Sequence, residues 1–207
     1  MSAALGRRRV MGGVLCAALV AAGCSIGPAP RSLASAYDLG PPPAAASSAP
    51  ALREPIRVDD VAALPWLDTS AMLYRLAYRD AAQPRVYADS RWVAPPAALL
   101  SGRLRARMAA ADPAGVLGPG DAAHAALTLR VELQELSQVF ETPEKSVALL
   151  EFRATLLRDH RLSAQRSFVV RVPAATPDAA GGAAAAAVAS DRAIGEIIGW
   201  TAAHLRP

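Results

Sequence analysis

Two cysteines, three histidines and 18 carboxylate side chains are the groups in this 207-residue chain from which chemistry could be built. Cys24 ends an apolar run, in LVAAGCSIGPAP (19–30), and no other cysteine follows it. A thiol so placed could close a disulfide, bind zinc or accept an acyl chain. Zinc needs several Cys or His at ligand spacing, and none lies near Cys24. A disulfide would need Cys16, which belongs to the apolar run itself.

The remaining groups make no catalytic pattern. His124, His160 and His204 fall at a loop–strand junction, in a turn and near a helix end, and none joins an HxH, HExxH or Cys/His cluster. There is no GxSxG elbow, P-loop or GxGxxG. Asp59–Asp60 and Glu132–Glu135 are paired carboxylates, but strand alternation puts Glu132 on a solvated face. The sequence therefore predicts a protein that is no enzyme, with no catalytic residue, metal or cofactor.

What precedes Cys24 gives the thiol its context. Arg7–Arg9, then VMGGVLCAALVAA (10–22), form the basic and apolar regions of a secretory signal peptide. The run falls short of the roughly 20 residues that span a bilayer. The Gly23–Cys24 junction resembles a bacterial lipobox, with Ala21 where Leu is usual and Leu19 two places back. Residues 1–23 are then a lipoprotein signal, and Cys24 becomes an acylated N-terminus carrying palmitate-type chains. Each buried methylene adds about 0.8 kcal/mol of membrane affinity, so several chains anchor the protein permanently. Ser25 rather than Asp follows the cysteine, which favours the periplasmic face of a Gram-negative outer membrane.

The formal charge of +4 is largely a targeting feature. Without Arg7, Arg8 and Arg9, the 22 basic residues fall to 19 against 18 acidic ones. No Lys/Arg run with interleaved aromatics remains, so nucleic acid is not an expected partner. The length after Cys24 fits one domain on a tether.

The elements follow from periodicity. Residues 24–52 read as the lipidated tether, with a short strand at 37–40 and the loop PPPAAASSAP (41–50). A single domain is expected over 53–207. Period-two alternation predicts strands at 56–58, 72–79 and 85–93, the last two separated by a turn at DAAQP (80–84). Leu100, Leu104 and Met108 mark a helix over 95–111, with Arg103, Arg105 and Arg107 facing elsewhere. LTLRVELQEL (127–136) is the clearest strand, with a bulge near Gln134–Glu135. Strands at 146–159 and 165–173 follow, and Ile194, Ile197, Ile198, Thr201 and Leu205 stripe a final helix beyond an Ala/Gly-rich stretch. GEIIG (195–199) reads as a close helix–sheet contact. The expected fold is α+β, antiparallel sheet with two helices, in the order βββαβββα.

YADSRWVAPPAALLSGRL (87–104) is the most distinctive stretch: a Tyr, then Ser-Arg-Trp, then Pro-Pro opening a Leu-Leu helix. With the lipobox, YDLG (37–40) and LPWLDTSAMLYRL (64–76), it resembles the ABC-type transport auxiliary lipoprotein family, the PqiC-like group associated with MCE proteins. Two readings of the motif stand. Trp92 fills the core end of a strand while Pro95 and Pro96 start the helix, or Tyr87, Arg91 and Trp92 present a surface to a partner. The resemblance implies an outer-membrane accessory of an envelope-spanning lipid transport system, docking to an MCE-domain protein and an inner-membrane ABC transporter. A different class, a lipid-binding carrier lipoprotein, remains beside it, and self-association is left open.

Overall fold

The alternation of Leu127, Leu129, Val131 and Leu133 with polar residues builds a strand that the whole sheet is arranged around. The computed structural model describes residues 34–43, 52, 54–111 and 114–205. Cys24, the expected signal peptide and most of PPPAAASSAP lie outside them. In chain order the described residues form β1 (Ser35–Tyr37), β2 (Ile56–Val58), β3 (Ala62–Ala63), β4 (Ala71–Leu76), β5 (Asp80–Trp92) and α1 (Pro96–Ala111). Then come β6 (Val116–Leu117), β7 (Leu127–Thr142), β8 (Lys145–Arg158), β9 (Arg161–Pro173) and α2 (Ala179–His204).

The fold is α+β with two helices, as the periodicity implied, but the sheet is mixed and the order is not βββαβββα. One edge of β7 pairs antiparallel with β8 along its length, and β8 pairs antiparallel with β9. The other edge is shared end to end by β2, β3 and β4, all parallel to β7. β1 is parallel to β5, and β6 to β2. Alternation reports which face a side chain takes and says nothing about strand direction. That is why the parallel pairs were not visible in it.

Several boundaries shift for local reasons. The strand expected at 37–40 is Ser35–Tyr37; Asp38 then accepts the Gly40 N–H at 2.7 Å, and Gly40 has φ 63°, which turns the chain. The DAAQP turn is instead the start of β5. The chain reverses at Ala77–Arg79, with Arg79 N donating to Leu76 O, and Ala81–Gln83 bulge out between the Leu76–Asp80 and Arg75–Pro84 pairs. The bulge near Gln134 lies where alternation slipped: Leu133 faces Phe152 while Glu135 faces Glu151. The β8–β9 hairpin closes on Asp159 and His160, both at positive φ (48° and 64°), the pattern of a two-residue turn matching strand twist.

The Ala/Gly-rich stretch expected ahead of the last helix supplies that helix's first turns. Asp178 caps α2 by accepting the Gly181 N–H at 2.7 Å, and Ala is the strongest helix former. One core results, in which Leu100, Leu104 and Met108 of α1 and Ile194, Ile197 and Ile198 of α2 meet Leu129 and Leu133 of β7 and Phe152 of β8. Fully burying such a side chain is worth about 1.5–3 kcal/mol. Phe168 of β9 and Trp200 of α2 meet edge to face, centroids 5.9 Å apart.

Candidate functional site

The residues singled out in 87–104 divide between core and surface. Tyr87 is half-buried on β5, its ring 4.7 Å from that of Tyr74. Its hydroxyl donates to Gln138 Oε1 at 2.9 Å, and Gln138 Nε2 donates to Ser146 Oγ at 2.7 Å. Burial, then the neighbouring Tyr74 and Asp178, push the Tyr87 phenol up to about 12. Trp92 is buried; its N–H donates to Ser70 O, and it pairs with Tyr37 of β1. Arg91 is exposed. Pro96 is the buried first residue of α1, and Pro95 O accepts the N–H groups of Ala98 and Leu99. The structure thus brings Tyr87, Trp92 and Pro96 into the body of the domain and leaves Arg91 outside it. Cys24 lies outside the described residues.

Gln138 is held on a third side by α2. A Cβ on Gly182 would overlap the Gln138 carboxamide, so Gly182 is the close approach of helix to sheet, whereas one on Gly181 would overlap Thr176 in the loop before α2. Gly195 and Gly199 of GEIIG have open space where a Cβ would go. The close contact expected there is made nearer the start of the same helix, at Gly182.

A second arrangement fastens β1 and the turn that follows it at Gly40. Arg103 of α1 is buried, not outward-facing as its charge suggested. Its Nε and Nη2 donate to Asp191 Oδ1 and Oδ2 at 2.9 and 2.7 Å, and its Nη1 donates to Gly40 O at 2.8 Å. Arg107 adds a third bond to Asp191 at 3.1 Å. Residues 35–40 are therefore tied into the fold twice, through the β1–β5 ladder and through Arg103. The signal was present: Arg103 and Arg107 follow Leu100 at i+3 and i+7, along the apolar stripe.

On the helix-free side of the sheet, Arg75 of β4 pairs with Glu135 at 2.9 Å and lies 5.7 Å from the ring of Trp66, which is 42% exposed. Glu135 Oε1 and Ser137 Oγ beside them are buried without a hydrogen-bond partner. Nothing in the alternation pointed to Trp66.

The described residues form recesses of different character. Between sheet and α2, at Met72, Trp92, Gln138 and Gly182, the free space is about 10 Å³, one water at most. An open groove of about 400 Å³ runs between Tyr37–Gly40 and the alanines of α2. A polar recess of about 480 Å³ lies among Asp59, Asp60, Arg130, Glu132 and Arg153. Among the described residues no three His, Cys, Asp or Glu side chains are grouped to hold a metal, and no helix is long and apolar enough to cross a membrane.

No curated protein matches the sequence. Among solved structures, protein XCC0632 from Xanthomonas campestris, of the DUF330 family, is similar with a TM-score of 0.70 at 21% identity, over 84% of this chain and 96% of that one. An uncharacterized protein is similar with a TM-score of 0.60 at 15% identity, over 81% and 97%. These likenesses support the fold. A family model described as the ABC-type transport auxiliary lipoprotein component matches residues 37–198, from the end of β1 to near the end of α2. That span takes in the Tyr87–Gln138 contact, the Arg103–Asp191 pair and the Trp92–Pro96 passage into α1, and the chain belongs to the ABC-type transport auxiliary lipoprotein family.

Proposed function

We propose that this protein is a lipid-anchored docking component of an ABC/MCE-type intermembrane transport system for lipids or other lipophilic compounds. Acylated Cys24 holds it on the periplasmic face of the outer membrane, and its domain engages an MCE-domain protein linked to an inner-membrane ABC transporter. It acts by binding, without catalysis. The observation that carries this reading is the fastening of residues 35–40 into the sheet and onto Arg103, which couples the tether to the core. A load between membrane anchor and partner then passes through ladder bonds and a buried ion pair. Family membership supplies the transport context.

The carrier reading keeps one supporting observation, the groove of about 400 Å³ beside α2. The tightly closed sheet–helix interface at Gln138 favours docking over an internal cargo chamber.

Replacing Cys24 by Ser separates anchor from domain. The expected result is a folded protein released from the outer-membrane fraction, with loss of the transport-dependent envelope phenotype. Full transport by the released protein would contradict an anchored docking role.

A further inference from the structure

β1 and β5 run parallel, with Ser35 opposite Ser90 and Tyr37 opposite Trp92. The start of β1 therefore points the same way as the start of β5, toward the hairpin tip that β5 makes with β4. Ala71 lies opposite Arg91 and Leu76 opposite Asp80. At about 3.4 Å per residue of β4, the tip stands about 17 Å beyond the level of Ala36. Cys24 precedes Ser35 by eleven residues. A chain of that length spans about 37 Å when fully extended and about 20 Å as a coil. An acyl anchor at Cys24 therefore keeps the bilayer surface about as close to β1 as the hairpin tip is. The tip is also the end from which Ala34 and Ser35 enter the sheet.

The side chains of this tip are those of a membrane interface. Tyr78, in the reversal, is 40% exposed, and Val86 of β5 is 55% exposed. The Arg79 guanidinium lies over the Tyr78 ring at 5.8 Å, and Arg85 Nη2 donates to Gln83 Oε1 at 2.8 Å. Among the described residues neither arginine bonds a carboxylate. Asp80, between them in sequence, instead accepts the Ala82 N–H at 2.9 Å. The rest of this end is balanced, with Glu141 meeting Arg171, Glu144 beside Lys145, and Asp178 capping α2. Attraction here is therefore local, guanidinium to phosphate, rather than the pull of a large basic field.

We propose that the β4–β5 hairpin tip, through Tyr78, Arg79, Arg85 and Val86, rests on the phospholipid headgroup layer that holds the Cys24 anchor. A tyrosine suits that layer because its ring is apolar and its hydroxyl is not. A guanidinium presents a planar fork of N–H donors that matches phosphate oxygens two at a time. Val86 adds apolar surface beside them. The contact fixes the orientation of the domain. The β8–β9 turn at Asp159–His160 lies at the other end of the β7–β8 ladder from Phe140, whose partner on β4 is Leu76, and so points away from the membrane. This inference rests on acylation of Cys24, and it deepens the docking reading by naming which end of the domain meets lipid and which is left for a protein partner.

The experiment places one fluorophore at a time on the purified lipoprotein. With residues 1–23 removed, Cys24 is the only cysteine and its thiol is acylated, so a single added cysteine is labelled alone. Ala82→Cys labels the hairpin, and Leu162→Cys labels the exposed β8–β9 end. Each protein is reconstituted into vesicles of phosphatidylethanolamine and phosphatidylglycerol that contain a lipid with a nitroxide on its headgroup. The expected result is loss of emission at position 82 and none at position 162. Combining Arg79→Glu and Arg85→Glu should restore emission at position 82 while the protein still floats with the vesicles. Equal emission from the two positions would overturn the proposal, and so would quenching at position 82 that survives the charge reversal. Flotation and the mass of the protein report the anchor separately. A lipoprotein without acyl chains would overturn the anchoring reading and this proposal together, whereas an acylated, floating protein with a bright hairpin would overturn this proposal alone.

Discussion

Arg103 of α1 and Asp191 of α2 face each other as a two-pronged ion pair, 2.9 and 2.7 Å, that also reaches Gly40 O. Both side chains are largely out of water, at 6% and 18% exposure. Removing one partner of such a pair strands the other, at a cost of about 3 kcal/mol. Asp191→Asn should lower unfolding free energy by that order in urea, because it leaves both Arg103 and Arg107 without their carboxylate. Arg105→Ala, which loses only the exposed bond to Asp60, should cost under about 1 kcal/mol.

Glycines of α2 should respond to alanine with opposite signs. Gly182→Ala drives a methyl into Gln138 and should destabilise by about 1–3 kcal/mol, despite the better helix former. Gly195→Ala meets nothing and should stabilise by up to about 1 kcal/mol. Thermal unfolding of the two variants checks both.

Tyr87 should ionise late. With its phenol pushed up to about 12, the folded state keeps it neutral where an unfolded chain, titrating near 10, would lose the proton. Its contribution to stability is therefore complete below about pH 10 and declines as pH rises toward 12. Absorbance titration at tyrosinate wavelengths should show a late step near 12, and Tyr87→Phe should remove it.

Acid should loosen the start of α2. The Gly181 N–H, then the Thr176 hydroxyl, hold the Asp178 carboxyl below its usual value. The cap is thus in full effect above the ordinary carboxylate pKa and is lost as pH falls through the depressed one. Hydrogen exchange at Gly181 should accelerate in that acid range, and Asp178→Ala should abolish the pH dependence.

Much of this domain could be read from its residues, for identifiable reasons. Leu100, Leu104 and Met108 recur every four residues, and all three are buried. The slip of alternation at Gln134 marked a real bulge, because an extra residue in one strand must reverse the pattern. What escaped depends on long-range pairing. The sharing of one β7 edge by β2, β3 and β4 leaves no periodic trace, since each piece is short and parallel partners are distant in sequence. Arg103 looked solvent-facing because charge dominates a single-residue reading, while its carboxylate partner lies 88 positions away. Ala179–Ala187 falls outside the helix that periodicity marks, because alanine and glycine carry no amphipathic stripe. The helix is visible only once Asp178 is known to cap it. The motif around Tyr87 and Trp92 signalled the family; that its tyrosine hydroxyl binds Gln138 needed coordinates.

The most direct measurement is cross-linking of the full-length lipoprotein in its own envelope, from photo-reactive residues placed at Ser167, Arg91 and Trp66, with mass spectrometry of the products. The account predicts adducts with an MCE-domain protein from at least one of these surfaces, lost when Cys24 is replaced by Ser. Recovery of lipid adducts alone, with no transport protein at any position, would contradict the docking role and put the carrier reading in its place.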